Sequence, residues 1–163
     1  MKSENYHETP ATEFLEQNGV IFSCHSYHYE DHGGTRAVAE ELRVGEHAVV
    51  KTLIMEDESK QPIIMLIHGD CKVSAKELAR QIHRKKIAMC KPEVANRHSG
   101  YLVGGTSPFG TKKKMPVYIE KSILNLDSIF INGGKRGYQL QLPVKDLMLL
   151  LEPEIVEVAI KSD

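Results

Sequence analysis

Along the 163-residue chain, apolar positions switch repeatedly between helical spacing and strand spacing, and each switch marks an element. Thr9-Pro10 opens a helix, with Thr9 as cap and Pro10 at the first helical position. Ala11, Phe14 and Leu15 form its apolar stripe, and Gly19 ends it. The polar residues 1–8 ahead of it read as a flexible tail, leaving 9–163 as the domain. Val20–Tyr29 reads as a strand, and after Gly33-Gly34 a short helix is expected, capped by Thr35, with Ala37, Val38 and Leu42 facing inward. The β-branched runs Ala48–Met55 and Ile63–His68, separated by the polar stretch Glu56–Gln61, predict a strand pair at the centre of a sheet. Ser74-Ala75-Lys76-Glu77 has the form of a capping box, and the helix behind it carries Leu78, Ala79 and Ile82. Further strands are expected at Ile87–Cys90, Pro116–Ile119, Ile129–Ile131, Tyr138–Leu142 and Ile155–Ile160. Helices are expected from Pro92 and over Val144–Leu151. Strands and helices mix without regular βαβ alternation. The expected fold class is therefore α+β: a single domain with a mixed, mostly antiparallel sheet and flanking helices.

Composition supports one core, with 41% hydrophobic and 26% charged residues. The net charge of -1 hides a split along the chain. Residues 1–71 carry five basic and thirteen acidic side chains, residues 72–137 fourteen and four, and residues 138–163 two and five. A basic middle segment of this size is suited to steering a polyanion, unless the segments interleave in space. No apolar run approaches the ~18 residues of a membrane span, and Met1 to His7 contains no signal-peptide core, so a cytoplasmic protein is expected. Cys24, Cys71 and Cys90 are odd in number and widely spaced, which argues for reduced core residues rather than a disulfide framework.

Lys51 is the most informative single residue. Strand alternation in Ala-Val-Val-Lys-Thr-Leu-Ile-Met puts it on one face with Val49, Leu53 and Met55, setting an ammonium against apolar surface. Desolvation then either lowers its pKa toward a general base or leaves a charged anchor for an anionic or polar group. The same pattern also fits an edge lysine whose stem packs while its head reaches water. The run Gly100-Tyr101-Leu102-Val103-Gly104-Gly105-Thr106-Ser107-Pro108-Phe109-Gly110 allows backbone N–H groups to approach a carbonyl or an oxyanion. Neither GxxxxGK[ST] nor GxGxxG is present, so it is not a phosphate loop of those kinds. Asn132-Gly133-Gly134-Lys135-Arg136-Gly137 reads as a tight turn between strands, and Lys112-Lys113-Lys114 and His83-Arg84-Lys85-Lys86 are the densest basic spots. His25, His28 and His32 match no zinc spacing, and GxSxG and HExxH are missing.

In this order, Thr9-Pro10-Ala11, Val50-Lys51-Thr52-Leu53, the Gly100–Gly110 loop followed by Lys112-Lys113, and Gly133-Gly134-Lys135-Arg136-Gly137 resemble the YbaK/prolyl-tRNA-synthetase-associated aminoacyl-tRNA editing domain family. The similarity runs from about Thr9 to Ala159. It implies a single-domain deacylase that clears tRNA charged with the wrong amino acid, in the YbaK branch cysteine on tRNA(Pro) or tRNA(Cys). By the same resemblance Lys51 is the essential lysine, and the substrate is met by Tyr27, Thr52, Gly104, Gly105, Thr106, Ser107, Pro108, Phe109, Asn132, Gly133 and Gly134. Lys112, Lys113, Lys135 and Arg136 are expected to contact the tRNA. No metal or cofactor is implied. The substrate is an activated ester, so the protein has mainly to orient it and stabilise an oxyanion, and a cysteinyl thiol attacks its own carbonyl to release a thiolactone. That chemistry is consistent with the missing triad.

Two positions depart from the branch pattern. Asn132 stands where serine is usual, and Gln139 where an aspartate is usual. A neutral amide binds a substrate ammonium more weakly than a carboxylate does, which opens Ala-, Ser- or Thr-tRNA as alternative substrates. A non-catalytic tRNA-binding module is the alternative from another class. An editor this small has little surface for reading tRNA identity, so a weak complex with prolyl-tRNA synthetase is also expected.

Overall fold

The computed structural model describes residues 5–162, so residues 1–4 of the expected tail lie outside it. In chain order its elements are α1 (Pro10–Gln17), β1 (Ser23–Ser26), α2 (Gly34–Leu42), β2 (Val49–Asp57), β3 (Pro62–His68), β4 (Cys71–Val73), α3 (Ala75–Gln81), β5 (Ile87–Met89), α4 (Pro92–Ser99), β6 (Val117–Glu120), β7 (Ser128–Asn132), β8 (Tyr138–Pro143), α5 (Val144–Leu151), β9 (Glu154–Val156) and β10 (Ala159–Lys161). Short 3-10 turns at Glu46–Ala48 and Lys121–Asn125 lead into β2 and β7. No described helix is long and apolar enough to cross a membrane.

The main sheet runs β1-β8-β7-β2-β3-β6-β9, with β5 attached to the far end of β2, and β10 pairs with β4 in a separate two-stranded sheet. In the main sheet the β2–β7, β3–β6 and β6–β9 pairs are parallel and the other four antiparallel, so it is mixed and mostly antiparallel; the β4–β10 pair is antiparallel too. Every residue of β3 is buried, because β2 and β6 flank it and both faces are covered. Ile64 and Leu66 pack with α1, α4 and α5, whereas Ile63, Met65 and Ile67 pack with α3. A third cluster joins Val38 and Ala39 of α2 to Val49 and Phe130.

Local chemistry explains the termini. Thr9 Oγ1 accepts from the Thr12 N–H (3.2 Å) and Thr12 Oγ1 accepts from the Thr9 N–H (2.9 Å), a reciprocal cap. The Thr9 hydroxyl also donates to the Gly133 carbonyl (2.6 Å), tying α1 to the β7–β8 turn.

Four expectations change. The strand expected over Val20–Tyr29 shrinks to β1, whose pairing with β8 covers only Ser23 to Ser26. Thr35 does not cap α2; Gly33 occupies the cap, and Thr35 Oγ1 lies 2.8 Å from Glu46 Oε2 and 3.1 Å from the Gly69 carbonyl. Ser74 does cap α3 by accepting from the Glu77 N–H. The Glu77 carboxylate, however, turns to Arg80 and Gln81, and the Ser74 N–H goes to the Val158 carbonyl. The run Ile155–Ile160 is split between β9 and β10, because the buried Glu120 carboxylate accepts from the N–H groups of Val158 and Ala159 (2.6 and 2.7 Å) and turns the chain there.

Leu66→Ala removes a fully buried side chain from the central strand. It is expected to lower unfolding free energy by about 2–5 kcal/mol, read as a reduced denaturation midpoint at unchanged slope.

Candidate active site

One edge of β2 is paired discontinuously. Its ladder to β7 ends at Val50–Ile131 and its ladder to β5 begins at Met55–Met89. No strand covers residues 51–54 on this edge among the described residues. The Ile54 carbonyl faces it, where it accepts from the Cys90 N–H (3.1 Å). By strand alternation the backbone N–H and C=O of Thr52 face the same way.

A cavity of about 530 Å³ opens over this edge. Val50, Lys51, Thr52, Leu53 and Ile54 form its floor; Tyr27, Tyr29, Glu30, Asp31, His32, Gly34, Thr35 and Val38 form one wall. Cys90, Pro92 and Ala95 form another, with Val103, Gly104, Thr106, Asn132, Arg136 and Gln139 between them. The two glycine-rich segments meet here. A Cβ on Gly105 would lie 2.8 Å from the backbone N of Arg136, so only glycine lets these turns touch, and Arg136 Nε donates to the Val103 carbonyl (3.0 Å). The Arg136 guanidinium also lies over the Tyr29 ring, 5.1 Å from its centre.

Lys51 lines the cavity half-buried, and its Nζ donates to the Cys71 carbonyl at 2.5 Å. Burial lowers its pKa from the ordinary lysine value, while Cys71, Glu46 and Asp70 favour the charged form. Cys90, also in the wall, is no thiolate: burial, followed by hydrogen bonding to Glu56, pushes its pKa up to about 12.

Across the sheet, Val50 pairs with Ile131 and Asn132 with Gln139, so Lys51, Asn132 and Gln139 fall in one row on one face. Gln139 Nε2 donates to Asn132 Oδ1 (2.8 Å). Tyr27 stands beside Gln139; burial raises its phenol pKa, and the Gln139 side chain partly offsets that. Two buried polar atoms of the cavity residues have no hydrogen-bond partner, Thr52 Oγ1 and Gln139 Oε1.

Of the residues singled out by sequence, Tyr27, Lys51, Thr52, Gly104, Thr106, Asn132 and Arg136 line the cavity. Gly105, Ser107, Pro108, Phe109, Gly133 and Gly134 lie outside its wall. Phe109 is fully buried, with its carbonyl accepting from the Tyr101 hydroxyl, and Gly133 accepts from Thr9. Lys112, Lys113 and Lys135 are exposed beside the loops: the Lys112 and Lys113 N–H groups bond to the last carbonyls of α4, and Lys135 abuts Gly105. Sequence reasoning set Gln139, as a departure from the family pattern, against the substrate ammonium, and met Glu30 and Asp31 only beside the histidines that match no zinc spacing; Cys90 it read as a core residue, with no signal for the site.

His25, His28 and His32 form no metal-ligating group among the described residues; the cluster that the fold assembles is His47, His68 and Asp70. The two imidazoles stack at 3.6 Å and 10°, so their in-plane lone pairs run parallel instead of converging on one ion. His68 is fully buried. Its Nδ1–H donates to the His47 carbonyl (2.6 Å) and its Nε2 accepts from the Ser122 hydroxyl (2.7 Å), while burial lowers its pKa.

The unpartnered Thr52 hydroxyl destabilises the free protein. Thr52→Val is expected to raise unfolding free energy by roughly 1 kcal/mol in chemical denaturation, since it removes an unsatisfied polar atom at nearly constant shape.

The family model for the aminoacyl-tRNA editing domain matches residues 30–150. An Enterococcus faecalis protein named "Putative Cys-tRNA(Pro)/Cys-tRNA(Cys) deacylase EbsC" is 29% identical over 162 residues, covering 99% of both chains. The proline–tRNA ligase of Brachyspira hyodysenteriae is 27% identical over 86 residues, 53% of this chain and 15% of that one. Among solved structures, one titled a putative trans-editing enzyme for prolyl tRNA synthetase superposes with TM-score 0.83 at 17% identity, covering 97% of this chain and all of that one. Hypothetical protein APE2540 superposes with TM-score 0.85 at 18% identity, covering 93% and 100%. With its motif order, its fold and a family match over most of its length, this chain belongs to the aminoacyl-tRNA editing domain family.

Proposed function

We propose that the protein is a trans-editing deacylase that releases cysteine from mischarged tRNA(Pro) or tRNA(Cys). The observation that carries this reading is the position of Lys51, half-buried in a cavity whose lining includes Gly104 and Thr106 of one glycine-rich segment and Asn132 and Arg136 of the other. The full-length similarity to EbsC supports the cysteinyl substrate.

In this reading the acceptor end of the tRNA enters the cavity beside the joined glycine-rich segments, where Lys112, Lys113 and Lys135 are exposed to meet phosphates. Lys51 acts as a charged anchor. Its contact with the Cys71 carbonyl and the nearby Glu46 and Asp70 favour the ammonium, which orients the aminoacyl end. Gly104 and Thr106 present their backbone to the ester carbonyl and stabilise the developing oxyanion. The attacking sulfur is the substrate's own: its proton leaves to solvent, the C–S bond forms, and the ribose oxygen departs with the alkoxide charge and takes up a proton. Thiolactone and free tRNA result. No protein nucleophile is needed, in keeping with the high pKa of Cys90. A weak complex with prolyl-tRNA synthetase, detectable by cross-linking, would deliver the substrate.

Lys51→Ala is expected to reduce kcat/KM on Cys-tRNA(Pro) roughly a hundredfold. Equal ester loss with both proteins would overturn the role of Lys51. Because burial lowers the Lys51 pKa, its ammonium is lost at lower pH than that of a surface lysine. Enzymatic turnover, corrected for spontaneous hydrolysis, should therefore decline on the alkaline side, and a pH profile of kcat/KM that keeps rising would contradict the charged-anchor role.

A further inference from the structure

Gln139 is only 2% exposed, yet it lines the cavity with Oε1 unpartnered while Nε2 is committed to Asn132. A buried acceptor left empty is a cost to the free protein that a ligand donor removes, and a ligand without the donor leaves in place. The surrounding charges decide which donor fits. Lys51 already places an ammonium in the Lys51–Asn132–Gln139 row, and that row contains no carboxylate. A second cation against Gln139 would be repelled. The carboxylates of the cavity wall, Glu30 and Asp31, lie on the exposed segment before α2, where they suit the substrate ammonium.

Resting on the deacylase reading, we infer that Gln139 determines specificity: its carboxamide oxygen accepts a hydrogen bond from a neutral hydroxyl or thiol on the side chain of the esterified amino acid. Side chains without such a donor, alanine first among them, are turned over poorly. The neutral amide thus selects the side chain, and departure from an acidic residue here changes what is read instead of merely weakening it. Asn132 holds the carboxamide in orientation through its Oδ1.

The test measures kcat/KM for seryl-, cysteinyl- and alanyl-tRNA(Pro), with wild type and Gln139→Leu. The wild type should favour the seryl over the alanyl ester by roughly tenfold or more, and Gln139→Leu should bring that ratio to within about twofold; the cysteinyl ester, whose thiol also attacks, should lose roughly tenfold in kcat/KM in the variant while staying ahead of alanine. Seryl and cysteinyl arms separate hydroxyl from thiol recognition. A ratio within one preparation is insensitive to partial unfolding, and Gln139→Met serves in the same assay if the leucine variant does not fold. An active wild type whose ratio is unchanged in the variant, or that prefers alanine, overturns this inference alone. A wild type inert on all three esters overturns the deacylase reading and this inference with it.

Discussion

The site depends on an interruption in backbone hydrogen bonding. A central strand normally has both edges paired, and a peptide group without a partner in a protein interior is costly. In β2 the ladder to β7 stops at Ile131 and that to β5 starts at Met89, leaving Thr52 facing a gap. Turn chemistry sets the first limit. Beyond Asn132 the chain turns through Gly133-Gly134, and a Cβ on Gly133 would sit 2.6 Å from the Tyr138 ring, so the turn packs this closely only with glycine there. Tight packing of that turn against Tyr138 and α1 keeps the gap open, and the gap becomes the cavity floor.

Around that floor the two strand faces differ. Val50 and Ile54 belong to the large core with α1, α4 and α5, which makes the floor rigid. On the other face Lys51, Asn132 and Gln139 align, and here burial opposes charge while Glu46 and Asp70 support it. Unpartnered Thr52 and Gln139 atoms fit the pattern of a preorganised site, in which stability is given up for groups that wait for a ligand. Some basic residues of the middle segment pair with acids elsewhere, as Arg80 with Glu77, Arg84 with Asp57 and Lys121 with Glu157, but Lys112, Lys113 and Lys135 flank the loops that frame the cavity. The net charge of -1 therefore coexists with a local basic rim.

Elements governed by local signals were legible in the sequence. The helix Val144–Leu151 has the expected bounds, and the Pro10 and Pro92 helix starts, the β2–β3 pair and the face of Lys51 follow from spacing and caps. Features set by distant partners were not legible. Thr35 looks like a cap by neighbourhood, yet its hydroxyl is held by Glu46 and Gly69, which only the fold brings near. Likewise Ile155–Ile160 has the pattern of one strand until Glu120, more than thirty residues away, takes the N–H groups of Val158 and Ala159. The His47–His68 stack and the orphan oxygen of Gln139 likewise arise from sheet order, which periodicity does not encode.

The most direct test of this account is amide hydrogen exchange at Thr52, with and without a non-hydrolysable 3′-cysteinylamido adenosine. An open β2 edge predicts that the Thr52 amide exchanges much faster than those of Lys51 and Leu53, which face β3, and becomes protected when the analogue binds. A Thr52 amide already protected in the free protein, or unchanged by saturating analogue, would contradict it.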